Sequence, residues 1–159
     1  TTLRDNRLKM LSGGTVLKAE ACLIANQERL VTNTETLQTA KLLLEMIGAH
    51  LRGKQNLGIF VNVRAKSQEE IAEKIFGQKV IGGLQGPSIT KILSRDRQDF
   101  YAIHIIVRRE ELYQAVQELR EIGGSGVIVS PVNFIFEEQP DEITKMMTAL
   151  EEKNENVLR

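Results

Sequence analysis

The sequence has no tryptophan, one cysteine, three prolines and two histidines, and its 21 basic residues cancel its 21 acidic ones. Each shortage excludes something. With zero formal charge and a pI near 6.7, the charge balance gives no reason to expect nucleic acid or an anionic membrane surface as the main partner. A lone thiol, Cys22, has no internal disulfide partner. Within the apolar run Ala21-Cys22-Leu23-Ile24 it is expected to be buried and inert, which points to a reducing compartment. No apolar run approaches the length of about 20 residues that crosses a bilayer, and no basic-then-apolar leader opens the chain. The chain therefore reads as soluble and mature. What is plentiful is apolar material, 42% of 159 residues, enough for the core of one or two globular units.

The opening residues Thr1-Thr2-Leu3-Arg4-Asp5 place an acidic side chain three positions after Thr2, the spacing of a helix cap, so the chain reads as a piece of something longer. A short helix is expected over Leu3 to Leu11, ended by Gly13-Gly14, and a strand over Val16 to Ala25. Thr32, with Glu35 three residues on, is expected to cap a long helix carrying Leu37, Ala40, Leu43, Leu44, Ile47 and Leu51 at helical spacing, with Gly53 closing it.

From Asn56 the pattern falls into two similar halves. A strand at Leu57 to Arg64 leads to a capping box, Ser67 to Glu70, that opens a helix ending at Gly77. After the Gly-rich segment Gly82 to Ser88 come a strand near Ile89 to Ser94 and a stronger one at Phe100 to Val107. A second helix spans about Arg109 to Ile122, a last strand Val127 to Phe136, and a terminal helix starts near Asp141. The order β-α-β-β-α-β predicts a ferredoxin-like α+β sandwich, one antiparallel sheet with both helices on one face. That architecture hosts many activities, so function has to come from sites.

Four features carry chemistry. In Leu84-Gln85-Gly86-Pro87-Ser88, Gly86 allows close approach to the backbone and Ser88 adds a hydroxyl, a combination suited to a carboxylate and equally to an ordinary turn feeding a strand. Gly123-Gly124-Ser125-Gly126 has more glycine than a helix stop needs, so its N–H groups suit either a small anion or a tight helix-to-strand turn. Asn62, in an otherwise apolar strand, is expected to be a buried amide that satisfies backbone groups or faces a polar ligand. Thr1 and Thr2 at a helix start suit a phosphate or a simple cap. His104, among Ala102, Ile103, Ile105 and Ile106, reads as a packed strand residue, since no carboxylate or hydroxyl lies nearby in sequence to orient it as a base. The region near Phe100 and Tyr101 lacks the basic-Gly-aromatic signature of an RNA-binding strand.

Thr1-Thr2-Leu3-Arg4-Asp5-Asn6, Leu84 to Ser88, and above all Ile122-Gly123-Gly124-Ser125-Gly126-Val127-Ile128-Val129-Ser130-Pro131 through Phe136-Glu137-Glu138 resemble the C-terminal part of the ATP phosphoribosyltransferase family in its long, histidine-regulated form. The resemblance spans essentially the whole chain. It implies an enzyme that joins ATP to phosphoribosyl pyrophosphate with Mg2+ in histidine biosynthesis, in the cytoplasm or, for a plant protein, the plastid stroma. It further implies that residues 1–53 end a periplasmic-binding-protein-like catalytic region, with Thr1 and Thr2 the tail of the loop that binds the substrate's 5′-phosphate. Residues 54–159 would be an ACT-like regulatory domain binding L-histidine between subunits of a homo-oligomer, dimer to hexamer. Asn62, Leu84 and Ser88 match one wall of that allosteric site, and Gly124, Ser125 and Gly126 the other. The rival expectation is a free-standing ferredoxin-like module that binds a small molecule or a protein and has no transferase chemistry.

Overall fold

Two strands carry the fold because every second residue in them is a large apolar side chain. A computed structural model describes residues 5–9, 11–15, 17, 19–82, 86–93 and 99–157. Strand β1 (Asn56–Arg64) buries Leu57, Ile59, Val61 and Val63, and β3 (Phe100–Arg108) buries Tyr101, Ile103, Ile105 and Val107. They pair antiparallel with Ile59 opposite Ile105 and Val61 opposite Ile103, so the two apolar sets share one face. Helices α3 (Gln68–Phe76) and α4 (Leu112–Glu121) cover that face with Ile71, Ile75, Ala115 and Leu119. Each of the fully buried isoleucines is worth about 1.5–3 kcal/mol of transfer free energy.

Edge strands β2 (Ser88–Ile92) and β4 (Gly124–Pro131) complete an antiparallel sheet of order β2-β3-β1-β4. With α3 between β1 and β2 and α4 between β3 and β4, this is the expected ferredoxin-like βαββαβ sandwich. Ser67 caps α3 by accepting from Glu70 N at 3.3 Å. The Glu70 carboxylate completes the box one residue further out, accepting from Lys66 N at 2.9 Å. A turn of 3-10 helix, Arg109–Glu111, precedes α4.

Several expectations need correction. The long helix, α2 (Thr34–Gln55), follows a short one, α1 (Gln27–Thr32). Asn33, not Thr32, caps α2, accepting from Thr36 N at 2.9 Å, while the Thr32 hydroxyl donates back to Glu28 O at 2.8 Å. Gly53 does not end α2. It lies in the last turns because a Cβ there would come within 2.5 Å of the Asn133 carbonyl. The described residues of Val16 to Ala25 are in no strand, and Leu17, Leu23 and Ile24 are exposed; among the described residues no strand lies beside them to offer a hydrogen-bond ladder. Cys22 is exposed as well, not buried. Over Leu3 to Leu11, Asp5 is helical, but Arg7 takes a left-handed φ of 55° and Leu8 and Lys9 are non-helical.

The last strand starts at Gly124, three residues before the expected Val127, and stops at Pro131, which has no N–H for the ladder. Beyond it the chain runs along α2 instead. Ile135 N donates to Ala49 O at 3.0 Å, and the Arg52 guanidinium donates from Nε to Ile135 O at 3.1 Å. Helix α5 (Asp141–Val157) packs on α2, with Arg52 paired to Glu142 at 3.3 Å.

Candidate functional site on the open sheet face

The residues that alternate with the core point to the face that α3 and α4 leave bare. Strand register sets them in rows. Ser88 is opposite His104, His104 opposite Phe60, and Phe60 opposite Ile128. The His104 and Phe60 rings stack with centroids 4.1 Å apart and planes at 10°. In the next row Thr90 is opposite Ala102, Ala102 opposite Asn62, and Asn62 opposite Ser125. Phe60 is 46% exposed and Ile128 63%, so this is a large apolar surface with polar groups set into it.

Two polar clusters stand on the face. The first surrounds Asn62, which is exposed, not buried as expected. Ser125 Oγ donates to the Asn62 carbonyl at 3.2 Å. The register slips between Phe60 and Asn62 opposite this point, and Gly126 takes a φ of 64°, so β4 bulges there. Gly124 has a different reason to be glycine. A Cβ on it would lie 2.5 Å from Leu119 O and 2.9 Å from Val61 Cγ2, so it permits α4 and β4 to pack closely. Gly124 thus sits at the close junction of helix and strand, whereas Ser125 and Gly126 are exposed.

The second cluster surrounds Ser88. Gly86, Ser88, His104, Ile106 and Phe136 line a cavity of about 340 Å³ at the β2 end of the face. His104 is thus a half-buried ring in a cavity wall. Two strand spacings and two residues along separate Ser88 from Asn62, about 12 Å. A ligand the size of an amino acid reaches both within one chain only by lying extended across His104 and Phe60. The structure therefore brings Asn62, Gly124, Ser125 and Gly126 together and leaves Ser88 apart. Leu84, Thr1 and Thr2 lie outside the described residues.

Glu118 is the residue that sequence reasoning missed. Only 6% exposed, it accepts from Val80 N at 2.9 Å, Ile81 N at 3.1 Å and Gln114 Nε2 at 3.0 Å. Burial pushes its carboxyl up, but these donors, with the Lys79 N–H, outweigh that and hold it below its ordinary value. The carboxylate anchors the turn that leads into the segment carrying Gly86 and Ser88. Its signal was an acidic side chain three residues after Ala115 and beside Leu119, on the apolar stripe of a helix. Among the described residues no three His, Cys, Asp or Glu side chains come together.

Residues 53–134 match the family described as HisG, C-terminal domain. The chain is 39% identical over 154 residues to ATP phosphoribosyltransferase 2, chloroplastic, of Arabidopsis thaliana, covering 94% of this chain and 37% of that protein. It is 39% identical over 141 residues to ATP phosphoribosyltransferase 1, chloroplastic, of the same plant, covering 86% and 34%. The ATP phosphoribosyltransferase of Methanocaldococcus jannaschii is 30% identical over 136 residues, covering 86% and 43%. The chain thus spans well under half the length of these relatives. A crystal structure of Arabidopsis thaliana PII bound to citrate overlaps 50% of the chain and 77% of PII, at a TM-score of 0.39 and 14% identity. With the family match covering more than half of the chain, the chain belongs to the family described as HisG, C-terminal domain, the C-terminal part of ATP phosphoribosyltransferases.

Proposed function

We propose that the chain is the L-histidine-sensing C-terminal portion of an ATP phosphoribosyltransferase, the enzyme that joins ATP to phosphoribosyl pyrophosphate and releases pyrophosphate in the first step of histidine biosynthesis. The observation that carries this reading is a match at 39% identity, covering 94% of the chain, to an enzyme of that name. In the full enzyme, residues 1–53 would end the catalytic region, Thr1 and Thr2 would close the loop on the substrate's 5′-phosphate, and Mg2+ would be held by residues outside this chain. Residues 54–159 would form the regulatory domain.

The open face suits histidine because it offers different groups to each part of the ligand. Ser125 and the exposed backbone of the Gly126 bulge suit the carboxylate, and the Asn62 side chain suits the ammonium or the imidazole. Gly86, Ser88 and Leu84 would form the opposite wall, supplied by a neighbouring copy, since Ser88 stands about 12 Å from Asn62 within one chain. A homo-oligomer, from dimer to hexamer, would then complete each site and cover Phe60 and Ile128. The relatives from Arabidopsis are chloroplastic, which favours the plastid stroma for a plant protein and the cytoplasm otherwise. Among the described residues no helix is long and apolar enough to cross a membrane.

Calorimetric titration with L-histidine tests the reading. Saturable binding is expected, and ligand at about 100 times its Kd should add roughly 2.7 kcal/mol of stability in a melting scan. A folded oligomer that shows neither heat nor a shift at saturating histidine would sink it. The 159-residue chain by itself should form no phosphoribosyl-ATP, and detectable product would move catalytic residues into this chain.

A further inference from the structure

A second cleft, of about 840 Å³, opens where the C-terminal end of α2 meets the end of β3, away from the sheet face. Four cations line it, Arg52 and Lys54 from α2 and Arg108 and Arg109 from the β3 end, against two carboxylates, Glu110 and Glu137. Arg52 is the half-buried anchor. Its Nε donates to Ile135 O, and its Nη1 lies 3.4 Å from Glu137 and 3.3 Å from Glu142. Its Nη2, fully shielded from solvent, has no partner. One helical turn on, Asn56 is 7% exposed and donates from Nδ2 to Arg52 O at 2.7 Å, yet its buried Oδ1 also has no partner. Such orphaned groups each cost about 1–3 kcal/mol, so a packed fold seldom keeps two in one wall without a ligand to meet them.

The other cations are loosely held. Arg108 reaches Glu110 only at 4.0 Å, and Arg109 spends Nε on the Lys54 carbonyl at 3.1 Å. The Lys54 ammonium has no carboxylate partner among the described residues. Cations from two adjoining backbone segments, joined where Asn56 pairs with Arg108, suit an anion with charge at more than one point. We infer that this cleft binds a polyphosphate anion, with Lys54 and Arg108 gripping it from the two adjoining segments, Arg52 supplying the shielded donor, and Asn56 Oδ1 accepting from a hydroxyl of the ligand or a bridging water. Bound there, it would compete with Glu137 for Arg52, the residue that ties α2 to the segment after β4.

Equilibrium dialysis of the 159-residue chain with inorganic tripolyphosphate, at an ionic strength of about 0.15 M, tests the inference. Saturable binding is expected. The double variant Lys54→Gln and Arg108→Gln changes two exposed side chains, and the fold is checked by circular dichroism; it should weaken binding about tenfold or more. Glu137→Gln removes the carboxylate that competes for Arg52 and should tighten binding several-fold. Absence of saturable binding, unchanged affinity in the folded double variant, or weaker binding by Glu137→Gln would each overturn the assignment. If the double variant does not fold, Lys54→Gln alone carries the same test with a smaller expected loss.

Discussion

The two faces of one sheet are built from the same strands and behave as different materials. On one, Ile59, Val61, Val63, Ile103, Ile105 and Val107 are closed off by α3 and α4; on the other, Phe60, Ile106, Ile128, His104 and Asn62 meet solvent or a shallow cavity. Because side chains alternate strictly, a single residue's step along β1 moves from fold to function. The covered face is where stability resides, and the open face is where a ligand or a second copy finds purchase. This division makes the largest predicted contrast. Ile105→Ala removes a fully covered side chain and should cost about 2–5 kcal/mol, whereas Phe60→Ala on the open face should cost the isolated chain less than about 1 kcal/mol. Urea unfolding measures both. A Phe60→Ala loss as large as that of Ile105→Ala would show the open face to be covered even in this chain.

Next in size is Glu118, which belongs to neither face and joins α4 to the turn before Gly86. Glu118→Gln leaves N–H donors facing an amide in place of a carboxylate, and a loss of about 1–3 kcal/mol is expected in the same unfolding measurement. The pH dependence gives an independent check. Its folded pKa lies below the ordinary value, so the stabilisation is fully present above the unfolded carboxylate value of about 4.3 and is lost as pH falls through the lowered folded value. The variant should therefore lose part of the acid sensitivity of the parent in that window. Identical acid profiles for parent and variant would remove the charge of Glu118 from the account and leave only its packing.

How much of this was legible in the sequence follows from which forces are local. The alternation of Ile and Val in β1 and β3, the Ser67 cap and the β-α-β-β-α-β order are all written within short windows, and the sandwich follows from them. What was misread depends on contacts distant in sequence. Gly53 looks like a helix stop until Asn133 is seen against it, and Val127 to Phe136 looks like one strand until Pro131 and the pull of Ala49 and Arg52 turn it away. Asn62 looked buried because its neighbours in sequence are apolar, although β1 has one wet face. Of the candidate site, the cluster of Asn62 with Ser125 was legible as two separate features; their juxtaposition needed the register. That Ser88 stands far from them was not legible at all, because the distance is set by strand order.

That separation gives the most delicate experiment, one in which stability should hardly change. Ser88→Ala and Ser125→Ala both alter exposed hydroxyls, so each should stay within about 0.5 kcal/mol of the parent while weakening L-histidine binding about tenfold. The two readings of the open face part when the variants are mixed in one oligomer. If each site takes Ser88 from one copy and Ser125 from its neighbour, a mixed pair contains one site with both serines lost and one with both intact, so parent-like sites reappear in a titration that neither variant alone would show. If a site lies within one chain, every site in the mixture lacks one serine and nothing is restored. Restoration on co-expression therefore argues for a site shared between copies. Two weakened variants that stay weak together would place the site within one chain, with the ligand extended over the about 12 Å from Asn62 to Ser88.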